Sequence, residues 1–230
     1  MENRWELSCH PPELPPQTAV LRSVEGVERA LLEKLSTQEG ETPEALWQLA
    51  AVYQHEGRPY KVLECLRRLK TRASERERVA AYLLATGQLL EQMNDFAGAA
   101  GFYREAHELR PAHQHTWYFI NNNLGVCLTA SGRAVEAESF LRAAITSDPG
   151  RTNALNNLGI CLEQQGRFAD AAEVYIASTR ANPGDARASR MLNALLLRHP
   201  ELQPELSAQA LLCGRIVEQS RAGGARGRVA

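Results

Sequence analysis

Four asparagine side chains occur as two pairs at a fixed spacing, and their amides could recognise a polypeptide. Asn122 and Asn123 begin the string NNLGVCL, and Asn156 and Asn157 begin the string NNLGICL, 34 residues further along the chain. Each carboxamide carries one carbonyl acceptor and two N–H donors, which match the N–H and C=O groups of a peptide backbone. The pattern therefore predicts hydrogen bonding to an extended peptide, provided that the fold places the two pairs side by side.

Other reactive side chains lack the spacing that catalysis or metal binding needs. His107, His113 and His115 lie close together in sequence, but no carboxylate or cysteine is spaced to complete a metal site, which favours surface histidines. The five cysteines are widely spaced and form no C-x-x-C motif. The sequence contains no phosphate-binding loop, serine-hydrolase or zinc-protease motif. We therefore expect a protein that is not an enzyme and that has no cofactor or metal.

A repeat of 34 residues positions the two asparagine pairs. Gly125 and Gly159, Gly132 and Gly166, Ala137 and Ala171, and Pro149 and Pro183 are all separated by that interval. A third copy lies around Gly87, 38 residues before Gly125, and a fainter one surrounds Ala50. Small residues allow two helices to approach closely, glycine ends the first helix, and proline stops the second. Each copy is thus predicted to form a helix, a turn and a second helix that ends at the proline.

The strings LGVCL…GR..EAESFLRAAITSDP and LGICL…GR.ADAAEVYIASTRANP closely resemble the tetratricopeptide repeat family. The resemblance implies an all-α, right-handed α-solenoid of tandem helix-turn-helix repeats with N- and C-terminal capping helices. The repeats are placed at 43–76, 80–113, 118–151 and 152–185. The first copy departs from the family pattern, because it has Val62 where alanine is usual and Ser74 where proline is usual.

The flanking segments are interpreted as caps and tails of one domain spanning 18–220. Apolar residues at helical spacing predict a capping helix over 18–39. Residues 186–220 are predicted to form C-terminal capping helices, interrupted by Pro200. The proline-rich leader, 1–17, and the tail, 221–230, are expected to be disordered.

In tetratricopeptide arrays one face of the first helix of each repeat lines a concave groove. The resemblance therefore implies that this groove holds the bound peptide. The candidate peptide-binding residues are Trp47, Gln48, Leu84, Gln88, Phe119, Asn122, Asn123, Val126, Asn153, Asn156, Asn157, Ile160 and Arg187. The asparagines would supply hydrogen bonds, the large apolar residues would supply contacts, and Arg187 would anchor an acidic end.

Two alternatives stay open. The asparagines would equally serve to keep an exposed face soluble or to link adjacent helices. The chain could also be a structural assembly module that associates with itself or with a larger complex through its outer face or terminal helices. The cation and asparagine set of the carboxylate clamp, which holds chaperone tails in some members of the family, is missing from every three consecutive repeats.

Composition limits the class of partner and the cellular location that we expect. The formal charge of −1 gives no reason to expect nucleic acid. The sequence has no apolar segment of membrane-spanning length and no export signal at its start. We expect a cytoplasmic protein without membrane insertion, whose partner is a protein or a peptide segment and for which homo-oligomers stay an option.

Overall fold

The computed structural model describes residues 24–37 and 42–202, and within them every regular element is helical. The last element is a 3₁₀ turn at Pro200–Leu202. Ten α-helices precede it: α1 Val24–Leu35, α2 Pro43–His55, α3 Pro59–Arg72, α4 Arg76–Gln92, α5 Phe96–Glu108, α6 Gln114–Ala130, α7 Ala134–Ser147, α8 Thr152–Gln164, α9 Phe168–Ala181 and α10 Ala186–Arg198. This is the all-α class of tandem helix-turn-helix repeats that the sequence predicts. No helix in the described ranges is both long enough and apolar enough to cross a bilayer.

The chain divides into two compact units, Met1–Thr116 and Trp117–Ala230. In the first unit α1 packs on α2, α2 on α3, α3 on α4 and α4 on α5. In the second unit α7 packs on α8, α8 on α9 and α9 on α10. The predicted single domain over 18–220 stays a prediction.

The turns inside the helix pairs follow from residue type. Gly57, Asn94, Gly132 and Gly166 have positive φ angles between 62° and 75°, the left-handed conformation that glycine and asparagine tolerate best. After each of them the next backbone N–H bonds a carbonyl five residues earlier, as Arg167 does to Leu162 at 2.9 Å. The predicted ends of the first helices are therefore confirmed.

Small residues on the first helices make room for large ones on the second. A Cβ added to Gly159 would lie 2.5 Å from Cζ of Tyr175, and one added to Gly125 would lie 2.5 Å from Cγ of Leu141. Both partner side chains are fully buried. Glycine at these positions thus allows each pair of helices to pack closely around its central side chain.

The first pair also forms, despite the departures at Val62 and Ser74. Val62 is buried in the core of the first unit, and Thr42 caps α2 by accepting a hydrogen bond from the Ala45 N–H at 3.2 Å. The N-terminal capping helix is described only as α1, which ends at Leu35. The predicted disordered ends and the helix expected after Pro200 lie outside the described residues.

Candidate functional site

Four polar side chains of the second unit form a continuous hydrogen-bonded series, here called the amide row: Asn123 and Asn122 of α6, Asn157 of α8 and Arg187 of α10. Asn122 Nδ2 donates to Asn123 Oδ1 at 3.0 Å, and Asn157 Nδ2 donates to Asn122 Oδ1 at 2.9 Å. Arg187 Nη2 donates to Asn157 Oδ1 at 3.3 Å. The fold thus brings these four predicted site residues together on α6, α8 and α10, here called first-type helices because each occupies the place of the first helix of a repeat.

Exposure differs along the amide row. Asn123, Asn157 and Arg187 are half-buried, so their polar groups are accessible from one side. Asn122 is only 7% exposed, and its carbonyl and amino groups already bond to neighbours. Asn122 therefore links the two helices, and Asn157 and Arg187 are the half-exposed members nearest the α10 end of the amide row.

Asn156 does not belong to this surface, and the prediction that it does is wrong. Its side chain is fully buried. Its Oδ1 accepts a hydrogen bond from Ser178 Oγ of α9 at 2.7 Å. The sequence signal was available, because Ser178 occupies the position where the preceding repeat has Ala144. A hydroxyl there gives the asparagine a partner inside the helix pair.

Apolar side chains lie on the same helices as the amide row. Phe119, Val126 and Ile160 are each half-buried, and Asn153 near the start of α8 is exposed. Arg151, which the sequence did not single out, places its Cζ 5.1 Å from the centroid of the Phe119 ring. The Asp148 carboxylate accepts from Arg151 Nε at 2.8 Å and holds the guanidinium over the ring.

The candidates in the first unit form a separate surface. Trp47, Gln48, Leu84 and Gln88 are all half-buried. The Trp47 ring packs against Tyr82 with 5.7 Å between centroids. A narrow crevice of about 10 Å³ lies beside Trp47. Trp47, Ala50, Ala51, Gln54, Val62, Leu66, Ala85 and Leu89 line it.

A second polar network, which sequence reasoning missed, surrounds Glu163 at the end of α8. Its carboxylate accepts from the Tyr175 hydroxyl at 2.7 Å and from Arg198 Nη2 at 2.5 Å. Burial raises the pKa of Tyr175, and Glu163 raises it further. The signal is the spacing of 12 residues between glutamate and tyrosine, which recurs in the first unit where the Tyr103 hydroxyl bonds Glu91.

Reactive groups among the described residues show no catalytic arrangement. His113 and His115 lie edge to face with ring centroids 6.2 Å apart. Residues 24–37 and 42–202 contain no group of three or more histidines, cysteines or carboxylates that could hold a metal. Cys65, Cys127 and Cys161 are buried free thiols, and burial raises the pKa of Cys65 to about 11.

Comparison with known proteins bears on the repeat architecture. Residues 128–196, which contain most of the described second unit, match the family model for the tetratricopeptide repeat. This segment of the chain consists of tetratricopeptide repeat sequence. This confirms the resemblance carried by the two repeated strings. No curated protein matches the chain.

Three solved structures share the fold of this chain. BtubC from P. vanneervenii is 16% identical with a TM-score of 0.68, and the match covers 91% of this chain and 92% of that one. MamA from Desulfovibrio magneticus RS-1 is 17% identical with a TM-score of 0.63, covering 78% and 97%. YrrB, described as a TPR protein with an unusual peptide-binding site, is 20% identical with a TM-score of 0.59, covering 76% and 87%.

Proposed function

We propose that this protein is a non-catalytic, cytoplasmic interaction scaffold that binds an extended peptide segment of a partner protein on its first-type helices. The observation that carries the proposal is the amide row of the second unit. Its half-exposed members lie on α6, α8 and α10, which also carry the half-buried Phe119 and Ile160. Polar groups fixed among apolar side chains are the usual composition of a recognition surface.

The mutual hydrogen bonds of the amide row do not exhaust its capacity. A primary amide has two donor hydrogens and two acceptor lone pairs. Asn157 uses one hydrogen on Asn122 and one lone pair on Arg187 within the described chain. The network fixes the amide before a ligand arrives, so that less conformational entropy is lost on binding.

In the first unit, taken by itself, Trp47 and Leu84 are proposed as apolar contacts for a peptide, because their side chains are only half-buried. Gln48 and Gln88 supply amides there. The description of YrrB as a peptide-binding TPR protein also supports the proposal.

The test is selection of peptides followed by affinity measurement. Random 12-residue peptides displayed on phage are selected on the full chain, and enriched peptides are measured by fluorescence anisotropy. Replacing both Asn123 and Asn157 by alanine should weaken binding about tenfold or more, because each lost hydrogen bond is worth about 0.5–1.5 kcal/mol. Circular dichroism checks that the double variant is folded.

The matched control replaces Asn182 and Asn193, two exposed amides of the second unit outside the amide row. This variant should bind as the wild type does. Failure to enrich any peptide, or equal affinities for both double variants, would contradict the proposal. A stable homo-oligomer by light scattering, unaffected by either variant, would favour the assembly alternative.

A further inference from the structure

The hydrogen bonds of the amide row run in one direction, and Arg187 sets that direction. A guanidinium has donors only, so the Asn157 atom that it contacts must be the carbonyl oxygen. The amino group of Asn157 then faces α6, where Asn122 must present its own carbonyl. Asn122 in turn donates to Asn123. One donor-only residue thus orients each amide after it.

This orientation decides what the amide row offers to a ligand. Each carbonyl from Asn157 to Asn123 already accepts a hydrogen bond from the preceding member. The second Nδ2 hydrogen of the half-buried Asn157 has no acceptor among the described residues. Hydrogen bonds that run head to tail also polarise one another, which strengthens the remaining donors. Asn157 thus keeps one Nδ2 hydrogen and one Oδ1 lone pair, and the surplus of donors on the row comes from the guanidinium of Arg187.

The charge of α10 favours a ligand that supplies hydrogen-bond acceptors. The helix contains Arg187, Arg190 and Arg198 and no acidic residue. Arg198 is paired with Glu163, whereas neither Arg187 nor Arg190 forms an ion pair with any residue of 24–37 or 42–202. Arg187 also lies in the first turn, where the helix dipole disfavours a cation. Its position therefore does not stabilise the helix electrostatically.

Nearby carboxylates are already occupied. The side chain of Asp185 accepts from the Arg187 backbone N–H at 2.9 Å and caps α10. Glu163 is held by Tyr175 and Arg198. Among residues 24–37 and 42–202 the Arg187 guanidinium bonds only to Asn157, so its other N–H groups have no acceptor in that part of the chain.

We propose that Arg187 is a positioning residue that fixes the orientation of the amides in the row, and that its remaining guanidinium donors, together with the second Nδ2 hydrogen of Asn157, bind a carboxylate of an acidic peptide. The orientation stands on the free protein alone, whereas the ligand class rests on the proposed function.

The orientation is tested on the free protein by NMR of the asparagine side-chain amides. Arg187→Lys keeps a donor-only cation, and Arg187→Met removes the donors while preserving an apolar stem. We expect the Nδ2 signals of Asn122 and Asn157 to stay sharp in the lysine variant. In the methionine variant they should shift and broaden as the amides exchange between two orientations. Spectra identical to wild type in Arg187→Met would overturn the positioning role.

Arg180→Met is the matched control, because Arg180 is exposed on α9 and has no ion pair in the described part of the chain. It removes the same charge away from the amide row, so its asparagine signals should match those of the wild type. A change of the same size in this variant would mean that net charge, rather than the contact with Asn157, governs the amides.

The ligand class is tested with 12-residue peptides selected from a random phage library on the wild type. We expect aspartate or glutamate to be enriched at one position. Changing that residue to its amide should weaken binding roughly tenfold, since hydrogen bonds to charged groups are stronger. The same peptide change should have less than about a twofold effect on Arg187→Met and a full effect on Arg180→Met.

The outcomes distinguish failure of the acidic-ligand proposal from failure of the proposed peptide-binding function. Enriched peptides without an acidic position would contradict the acidic ligand and leave peptide binding intact. Tighter binding of an oligothymidylate than of the selected peptide would also contradict it. If no peptide is enriched, the proposed function and the ligand class both fail, and the NMR comparison still decides the role of Arg187.

Discussion

Replacing Gly159 by alanine tests the close packing between α8 and α9. The added Cβ would lie 2.5 Å from Cζ of Tyr175, well inside van der Waals contact. The ring is fully buried, and its hydroxyl is held by Glu163 at 2.7 Å, so it has little freedom to move aside. The two helices must therefore separate or the tyrosine must leave its preferred geometry.

The size of the effect is the balance of two contributions. Overpacking a close-packed core costs about 1–3 kcal/mol. Alanine in place of glycine in a helix interior returns about 1 kcal/mol. We expect a net loss of up to about 2 kcal/mol, which for a domain of this size lowers Tm by up to about 8 °C.

Gly101→Ala in α5 is the control with the opposite expected sign. Gly101 is exposed, and an added Cβ would meet no atom within 4 Å. Only the helix-propensity gain remains, so the variant should be more stable by about 0.5–1 kcal/mol. Both variants are compared with wild type by thermal and urea unfolding, followed by circular dichroism at 222 nm. Stabilisation of Gly159→Ala to the same degree as Gly101→Ala would refute the packing argument.

Two further predictions concern ionisable groups. Burial opposes ionisation of Glu138, but hydrogen bonds and charges from Arg142, Gln165 and Arg167 lower its pKa below the ordinary 4.5. The stability that this gives is present above pH 4.5 and is lost as the pH falls through the lowered pKa. Urea midpoints should therefore fall more steeply with acid in wild type than in Glu138→Gln, and parallel curves would contradict this. In a variant with both Cys9 and Cys213 changed to serine, the buried thiols should react with DTNB at pH 8 much more slowly than in urea, because burial limits access of the reagent and raises the pKa of Cys65 and of Cys161. Comparable rates with and without urea would contradict it.

The helix ends were predictable because they depend on local backbone conformation. Gly132 and Gly166 lie where a left-handed residue must end a helix, and few residue types tolerate that conformation. Asn94 occupies the same place in its own repeat with a φ of 62°. Such positions can be identified from single residues, because nothing distant in the chain is needed to explain them.

The close contacts between paired helices were predictable from the period. Once Gly125 and Gly159 were aligned, the residues 16 positions later, Leu141 and Tyr175, had to fill the space that each glycine leaves. The sequence did not reveal the direction of hydrogen bonds along the amide row. That direction depends on a contact between Asn157 and Arg187, which are 30 residues apart on different helices.

The two copies of the repeated string show how identical residues acquire different surroundings. Asn122 and Asn156 occupy the same position, yet Asn122 bonds across to α8 and Asn156 bonds into its own helix pair. The difference lies 22 residues later, where Ala144 has no polar group and Ser178 has a hydroxyl.

A buried amide carries a large penalty unless it is hydrogen-bonded. The Ser178 hydroxyl satisfies the Oδ1 of Asn156, whereas the buried Nδ2 has no hydrogen-bond partner among the described residues. Asn122, whose repeat has Ala144 at the corresponding position, bonds instead to Asn123 on its own helix and to Asn157 of α8. An asparagine in a repeat of this kind can be assigned to a binding surface only together with the residue 22 positions after it.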